Sequence, residues 1–199
     1  MFSWFQKKPP APTVQDQVWL TEGARLDALV RIARTSPFPV LFLAFFEDTV
    51  ETLVARFAAE GLPIAVGASG EYSGTTPRVI LADQLRVLPG RLPEVLVVCV
   101  AEYHPLPTQN RQLLEALEQR TDARPTFHVA LDEPMMLRFG GAKIAELMVR
   151  MGLSVDEAIE HPMVSKALGN ARDKVATKVR NPRPARSMAA WFAENLGPE

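Results

Sequence analysis

The chain is short of the residues that most often carry chemistry. Its single cysteine, Cys99, cannot form an internal disulfide, and the apolar neighbours Val97, Val98 and Val100 mark a buried thiol rather than a nucleophile. A lone thiol of this kind fits a reducing compartment. His104, His128 and His161 are the three imidazoles, and none has a second His, Cys or Asp at metal-ligand spacing on a common face. His161, ahead of Pro162, reads as a capping or packing group, and His128 as part of an alternating strand. Excess charge of either sign is missing too. Against 23 acidic side chains stand 22 basic ones, a balance that argues against a dedicated nucleic-acid binder. No apolar run approaches the roughly 18 residues of a membrane span. Met1-Phe-Ser-Trp-Phe5 is too short for a secretory leader before Lys7 and Lys8. The expectation is a soluble, cytoplasmic protein with no metal and no cofactor.

What the chain has is apolar patterning. With 47% hydrophobic content, 199 residues can bury an ordinary core, and the length suits one domain with appendages. Residues 1–18 read as an extended arm because Pro9, Pro10 and Pro12 disfavour packing. Phe2, Trp4 and Phe5 beside the lysines could touch a membrane surface or a partner groove, or simply fray as termini do. Thr21-Glu-Gly-Ala starts a helix that Pro37 and Pro39 stop. Val40 to Phe46 is an unbroken apolar run suited to a strand buried on both faces. Asp48 to Glu51 resembles a capping box opening the next helix, and Pro63 to Val66 a second strand. Further strands follow at Val79–Ala82, Val95–Val100 and Thr126–Leu131, with a helix over Thr108–Arg120. Five strands interleaved with helices predict an α/β parallel sheet.

Other motifs carry simpler readings. Gly67 to Thr76 is glycine-rich but lacks the Gly-Lys-Ser/Thr ending of a phosphate loop, so it reads as a plain surface loop. Asp132-Glu133 precedes Pro134, where acidic groups suit a helix N-terminus. Glu157 and Glu160 read as a solvated face, and no Gly-x-Ser-x-Gly elbow occurs. Beyond Lys174, the residues Lys178, Arg180, Arg183 and Arg186 make a basic tail broken by Pro182 and Pro184. In it Met188, Trp191 and Phe192 share a face that could dock on a partner or fold back on the chain's own core.

The most informative stretch is Met136-Leu-Arg-Phe-Gly-Gly-Ala-Lys-Ile144 with its continuation Glu157-Ala-Ile-Glu-His-Pro-Met-Val-Ser165. Ile144, Leu147, Met148 and Met151 recur at helical spacing before Gly152, and Val164, Ala167, Leu168, Ala171 and Val175 do so after Pro162. This stretch resembles the preprotein translocase ATPase SecA, at the end of its second nucleotide-binding domain and the start of its scaffold helix. Ala101-Glu-Tyr-His104 and Gln112-Leu113 are similar, more loosely, to the segment around that family's arginine fingers. The resemblance implies a RecA-like, helicase C-terminal-type fold with a helical extension. Residues 19–133 would be a degenerate RecA-like domain, 134–180 the extension, and 181–199 the basic tail.

It also marks what is gone. The family's finger arginines fall at Leu114, Ala116 and Gln119, none of which can neutralise transition-state charge. Asp83 to Leu88 stands where an Ala-Gly-Arg-Gly-Thr-Asp type motif would follow the strand. The expectation is therefore a non-catalytic, SecA-like binding or regulatory module. Its protein partner would be a translocase component, another ATPase or itself. Glu102, His104, Arg111, Gln112, Met188, Trp191 and Phe192 are the candidate contacts. The alternatives are the nucleotide-binding half of a split ATPase and, last, a helicase-like nucleic-acid binder.

Overall fold

Val40 to Ala44 forms the strand about which the sheet is laid out. A computed structural model describes residues 14–72, 76–159 and 162–197. The elements run β1 (Gln15–Trp19), α1 (Glu22–Thr35), β2 (Val40–Ala44), α2 (Glu47–Ala59), β3 (Ala65–Val66) and β4 (Arg78–Leu81). A 3₁₀ turn (Ala82–Arg86) leads to β5 (Val97–Val100), α3 (Pro107–Glu118) and β6 (Pro125–Ala130). The helices α4 (Pro134–Arg138), α5 (Gly141–Arg150), α6 (Pro162–Lys178) and α7 (Met188–Leu196) complete the chain.

The strands form one parallel sheet in the order β1-β6-β5-β2-β4-β3. With helices on both faces, this is the RecA-like α/β architecture expected from the alternation of elements. Crossovers in parallel sheets are right-handed, so the direction of travel decides which face a helix covers. The chain moves one way through α1 and α2, then returns through α3. Pleating sorts β2 accordingly. Val40 and Phe42 meet Leu29, Leu53 and Phe57 of α1 and α2, whereas Leu41 and Leu43 share a core with Leu113 and Leu117 of α3. Cys99 lies on the α1–α2 side, and burial pushes its thiol up to about 12, leaving it inert.

The sheet has six strands rather than five. The additional one, β1, lies mostly within the segment read as an arm. Its polar Gln15, Asp16 and Gln17 hid it, because an edge strand needs few apolar residues. Its outer edge meets one isolated bridge, Ile159 N–H donating to the Val18 carbonyl at 2.7 Å. Residues 1–13, with Phe2, Trp4 and Phe5, lie outside the described residues, as do Glu160 and His161.

One more expectation needs correction. The segment from Met136 is two helices, because Gly140 adopts φ +96° between them, and the chain breaks again at Gly152, φ +83°. Of the two readings of the tail, docking on a partner or folding back, the structure shows the second. Met188, Trp191 and Phe192 are buried in the main core with Val164, Leu168, Ala171 and Val175 of α6. Each large apolar group buried in this way stabilises by roughly 1.5–3 kcal/mol.

Candidate functional site

After β2 the chain turns toward β3, and after β5 it turns toward β6, so the carboxyl ends of β2 and β5 flank the point where the sheet reverses direction. In open α/β sheets, ligands bind in the crevice at such a reversal, against the N–H groups that open the next helix. Here that position is filled from within. The Glu102 carboxylate, 2% exposed at the end of β5, accepts the N–H groups of Phe45 and Phe46 at 3.0 and 3.1 Å. Its other oxygen accepts the Thr49 hydroxyl at 2.7 Å. Burial pushes the Glu102 carboxyl up, while Arg25 and these three donors pull the other way. All three donors face its oxygens, the arrangement that suits a carboxylate. The expected capping box at Asp48 does not form: Phe46 caps α2 without a side-chain bond, and Glu102 supplies the missing acceptor from 56 residues away.

The tail closes the same helix end. The Arg186 carbonyl accepts the Asp48 N–H at 3.1 Å, and its guanidinium lies 2.9 Å from Glu47 and 2.5 Å from Glu51. These exposed pairs contribute little individually, but they fix where the tail crosses.

Beside this end lies a cleft of about 420 Å³. Phe45, His104 and Trp191 form its aromatic wall, with Asp83, Arg86 and Arg183 also lining it. Arg183 comes from the tail, and no motif in the sequence tied it to Arg86. His104 packs edge-on against Phe45 and Trp191 and stacks on Phe46. Its Nδ1 accepts the Leu106 N–H at 3.0 Å, which places the ring proton on Nε2. Asn110, which the sequence reading overlooked, clasps this loop. Its Oδ1 accepts the His104 N–H and its Nδ2 donates to the carbonyls of His104 and Leu106.

Burial lowers the His104 imidazole from 6.5 to about 4. Between those values the unfolded chain binds the proton and the native one does not, so stability falls as pH drops from 6.5 toward 4. The loss is on the order of 3 kcal/mol at most. A His104→Gln variant is expected to be less stable at pH 7 but to lose less of its thermal midpoint between pH 7 and 5, as followed by circular dichroism.

A second buried polar group sits over β6. Arg25 of α1, 3% exposed, bonds Glu133 at 3.2 Å and Glu22 at 2.8 Å. Burial pushes Glu133 up to about 8, with Arg25 opposing. Trp19 donates its Nε1–H to Nδ1 of the fully buried His128 at 3.4 Å, and burial lowers that imidazole to about 3. The acidic pair before α4 thus serves other ends than that helix's dipole. Glu133 bonds Arg25 and the Ala130 N–H, while Asp132 accepts the first N–H of α1, that of Glu22, at 2.7 Å.

The structure brings Glu102, His104, Gln112 and Trp191 to the crevice and its cleft. Gln112 and Arg111 are exposed on α3, but Arg111 does not line the cleft; Glu102, Met188, Trp191 and Phe192 are buried. Of the positions implied for arginine fingers, Ala116 lines the cleft wall, Leu114 is half-buried and Gln119 is exposed. The described part of the glycine-rich loop has the polarity opposite to a phosphate loop. Carbonyls of Ser69, Gly70 and Glu71 point inward and accept from the Arg78 guanidinium, where a phosphate would need N–H groups. Among the described residues, no cluster of three or more His, Cys, Asp or Glu could hold a metal, and no helix is long and apolar enough to cross a membrane.

A parallel α/β domain with a filled crevice is the class that the fold and the site define. Comparison with curated proteins then finds similarity to the protein translocase subunit SecA. The SecA of Acidithiobacillus ferrooxidans is 42% identical over 52 residues, covering 26% of this chain and 6% of that one. The SecA of Psychrobacter sp. is 28% identical over 137 residues, 64% of this chain and 15% of that one. The SecA of Christiangramia forsetii is 38% identical over 81 residues, 40% of this chain and 7% of that one. The matches thus span between 6% and 15% of these relatives' length. No family model matches. Among solved structures, the C-terminal part of the Fun30 ATPase domain superposes with a TM-score of 0.42 at 14% identity, covering 75% of this chain and 54% of that one.

Proposed function

We propose that this SecA-like domain works by binding a protein, linked to translocation, and does not turn over nucleotide. The observation that carries this reading is the Glu102 carboxylate seated on the N–H groups of Phe45 and Phe46. A phosphate arriving there would meet a like charge and find its donors taken. The absence of arginine at Leu114, Ala116 and Gln119 agrees. The approach to the crevice, half-buried His104 with exposed Arg111 and Gln112 near it, is the surface offered to a translocase component, another ATPase or a second copy.

A second reading, half of a split ATPase, is favoured by one feature. Arg86 and Arg183 both line the cleft, and neither side chain has an ion pair among the described residues. Thermal unfolding with and without millimolar ATP or ADP and magnesium separates the two, because a ligand that binds only the folded state must raise the midpoint. No shift is expected. A magnesium-dependent rise that Arg183→Ala abolishes would replace the binding reading with the split-ATPase one.

A further inference from the structure

The cleft beside the crevice carries positive charge that has no ion partner among the described residues. Arg86 of the 3₁₀ turn and Arg183 of the tail, both exposed, line it from different segments of the chain. Arg183 is held in place. Pro182 and Pro184 flank it, and the Asn195 side chain grips its backbone, Oδ1 accepting the N–H at 2.7 Å and Nδ2 donating to the carbonyl at 3.0 Å. A guanidinium presented from a fixed backbone loses little further freedom when it pairs. Arg186, three residues on, shows the contrast: its charge is already matched by Glu47 and Glu51.

The other walls narrow the ligand. Phe45, His104 and Trp191 present an aromatic surface, which calls for an apolar side chain beside the charge. Gln109 and Gln112, one turn apart on α3, line the cleft with amides that can pair with a peptide backbone. At about 420 Å³ there is room for a side chain or two, not for a folded surface. Asp83 offsets one of the two cations, which leaves little charge for a polyphosphate. The N–H groups of Phe45 and Phe46, which would hold a phosphate at the adjoining helix end, are taken by Glu102. What remains is two planar guanidinium forks, and these pair in two-pronged fashion with carboxylates.

We propose that this cleft takes an acidic, extended segment of the partner protein, with a large apolar side chain against Phe45 and Trp191 and a neighbouring carboxylate on Arg183 and Arg86. The inference rests on the protein-binding reading above and names the chemistry of the partner.

Fluorescence anisotropy of a labelled, end-blocked Gly-Glu-Phe-Glu-Gly peptide, titrated with the full chain to about 0.5 mM, tests it. Saturable binding is expected. Counterpart peptides with Gln for Glu, or Ser for Phe, should each bind at least about tenfold more weakly. Arg183→Ala and Arg86→Ala should each weaken binding by about tenfold at an unchanged thermal midpoint, since both side chains are exposed, and Arg183→Lys should recover little of it. Arg86→Glu with Arg183→Glu should reverse the preference, favouring Gly-Lys-Phe-Lys-Gly. No binding, or binding that the arginine variants leave unchanged, overturns the proposal. If ATP with magnesium also leaves the thermal midpoint unmoved, the protein-binding reading stands and only the role of this cleft in it falls. Displacement of the peptide by millimolar ATP with magnesium, or by an oligothymidylate, overturns the proposal as well, because the site would then be one for phosphates.

Discussion

Glu102→Ala is expected to destabilise the domain by about 4 kcal/mol, roughly 10 °C in thermal midpoint for a chain of this size. The side chain ends one strand, yet it satisfies donors that belong to another part of the fold. Removing it strands the N–H groups of Phe45 and Phe46 and the Thr49 hydroxyl. Each buried donor left without an acceptor costs about 1–3 kcal/mol. Arg25, whose charge also acts on this carboxylate, loses part of its compensation. Glu102→Gln keeps one acceptor oxygen for the two N–H groups, and the Thr49 hydroxyl can rotate to accept from the new amide. A loss of about 1–2 kcal/mol is expected there. Urea unfolding of both variants checks the order, and a Gln variant as damaged as the Ala one would refute it. The same change opens the helix end. Formate, a carboxylate without a chain, should restore part of the stability of Glu102→Ala and none of the wild type's, because only the variant has an anion site to fill.

The interior strands were legible because burial on both faces imposes an unbroken apolar run. Val40 to Ala44 is fully buried and could be read letter by letter. Thr21 was equally plain as a cap, and its Oγ1 accepts the Ala24 N–H at 3.1 Å. The misses share a physical cause, which is satisfaction at long range. Gln15, Asp16 and Gln17 are polar because β1 is an edge, so no alternation announced them. Asp48 looked like a cap because the sequence shows local partners only, while the true acceptor, Glu102, is far along the chain. Asp132 and Glu133 were assigned to the helix they precede and serve α1 instead. At the crevice, Glu102, His104 and Gln112 came from one segment and could be picked out together. Arg183 reaches the cleft only because Trp191 is buried and the Asn195 side chain clasps the backbone of Arg183, which is tertiary information.

The Phe139-Gly-Gly stretch holds the second large effect, and its two glycines are required for different reasons. Gly140 sits at φ +96° with nothing within 4 Å of an added Cβ, so Gly140→Ala meets backbone strain alone, about 1–2 kcal/mol. Gly141 has an ordinary φ, but a Cβ there would lie 2.3 Å from the Leu131 carbonyl oxygen and 2.8 Å from the Met136 backbone carbon. Neither obstacle is the end of a flexible side chain. One atom extends the exit of β6 and the other lies in α4, so relief requires one element to move off another. Gly141→Ala is therefore expected to cost about 3 kcal/mol, more than Gly140→Ala, with thermal unfolding as the measure. The damage should also be local. The clash separates the start of α5 from β6 and α4, so hydrogen exchange should rise across α4 and α5 before it rises in β2 or β5. Equal costs at the two glycines would mean that the close approach at Gly141 relaxes cheaply. A higher cost at Gly141 with uniform exchange would mean that α4 and α5 unfold only with the sheet, as one cooperative unit with the crevice.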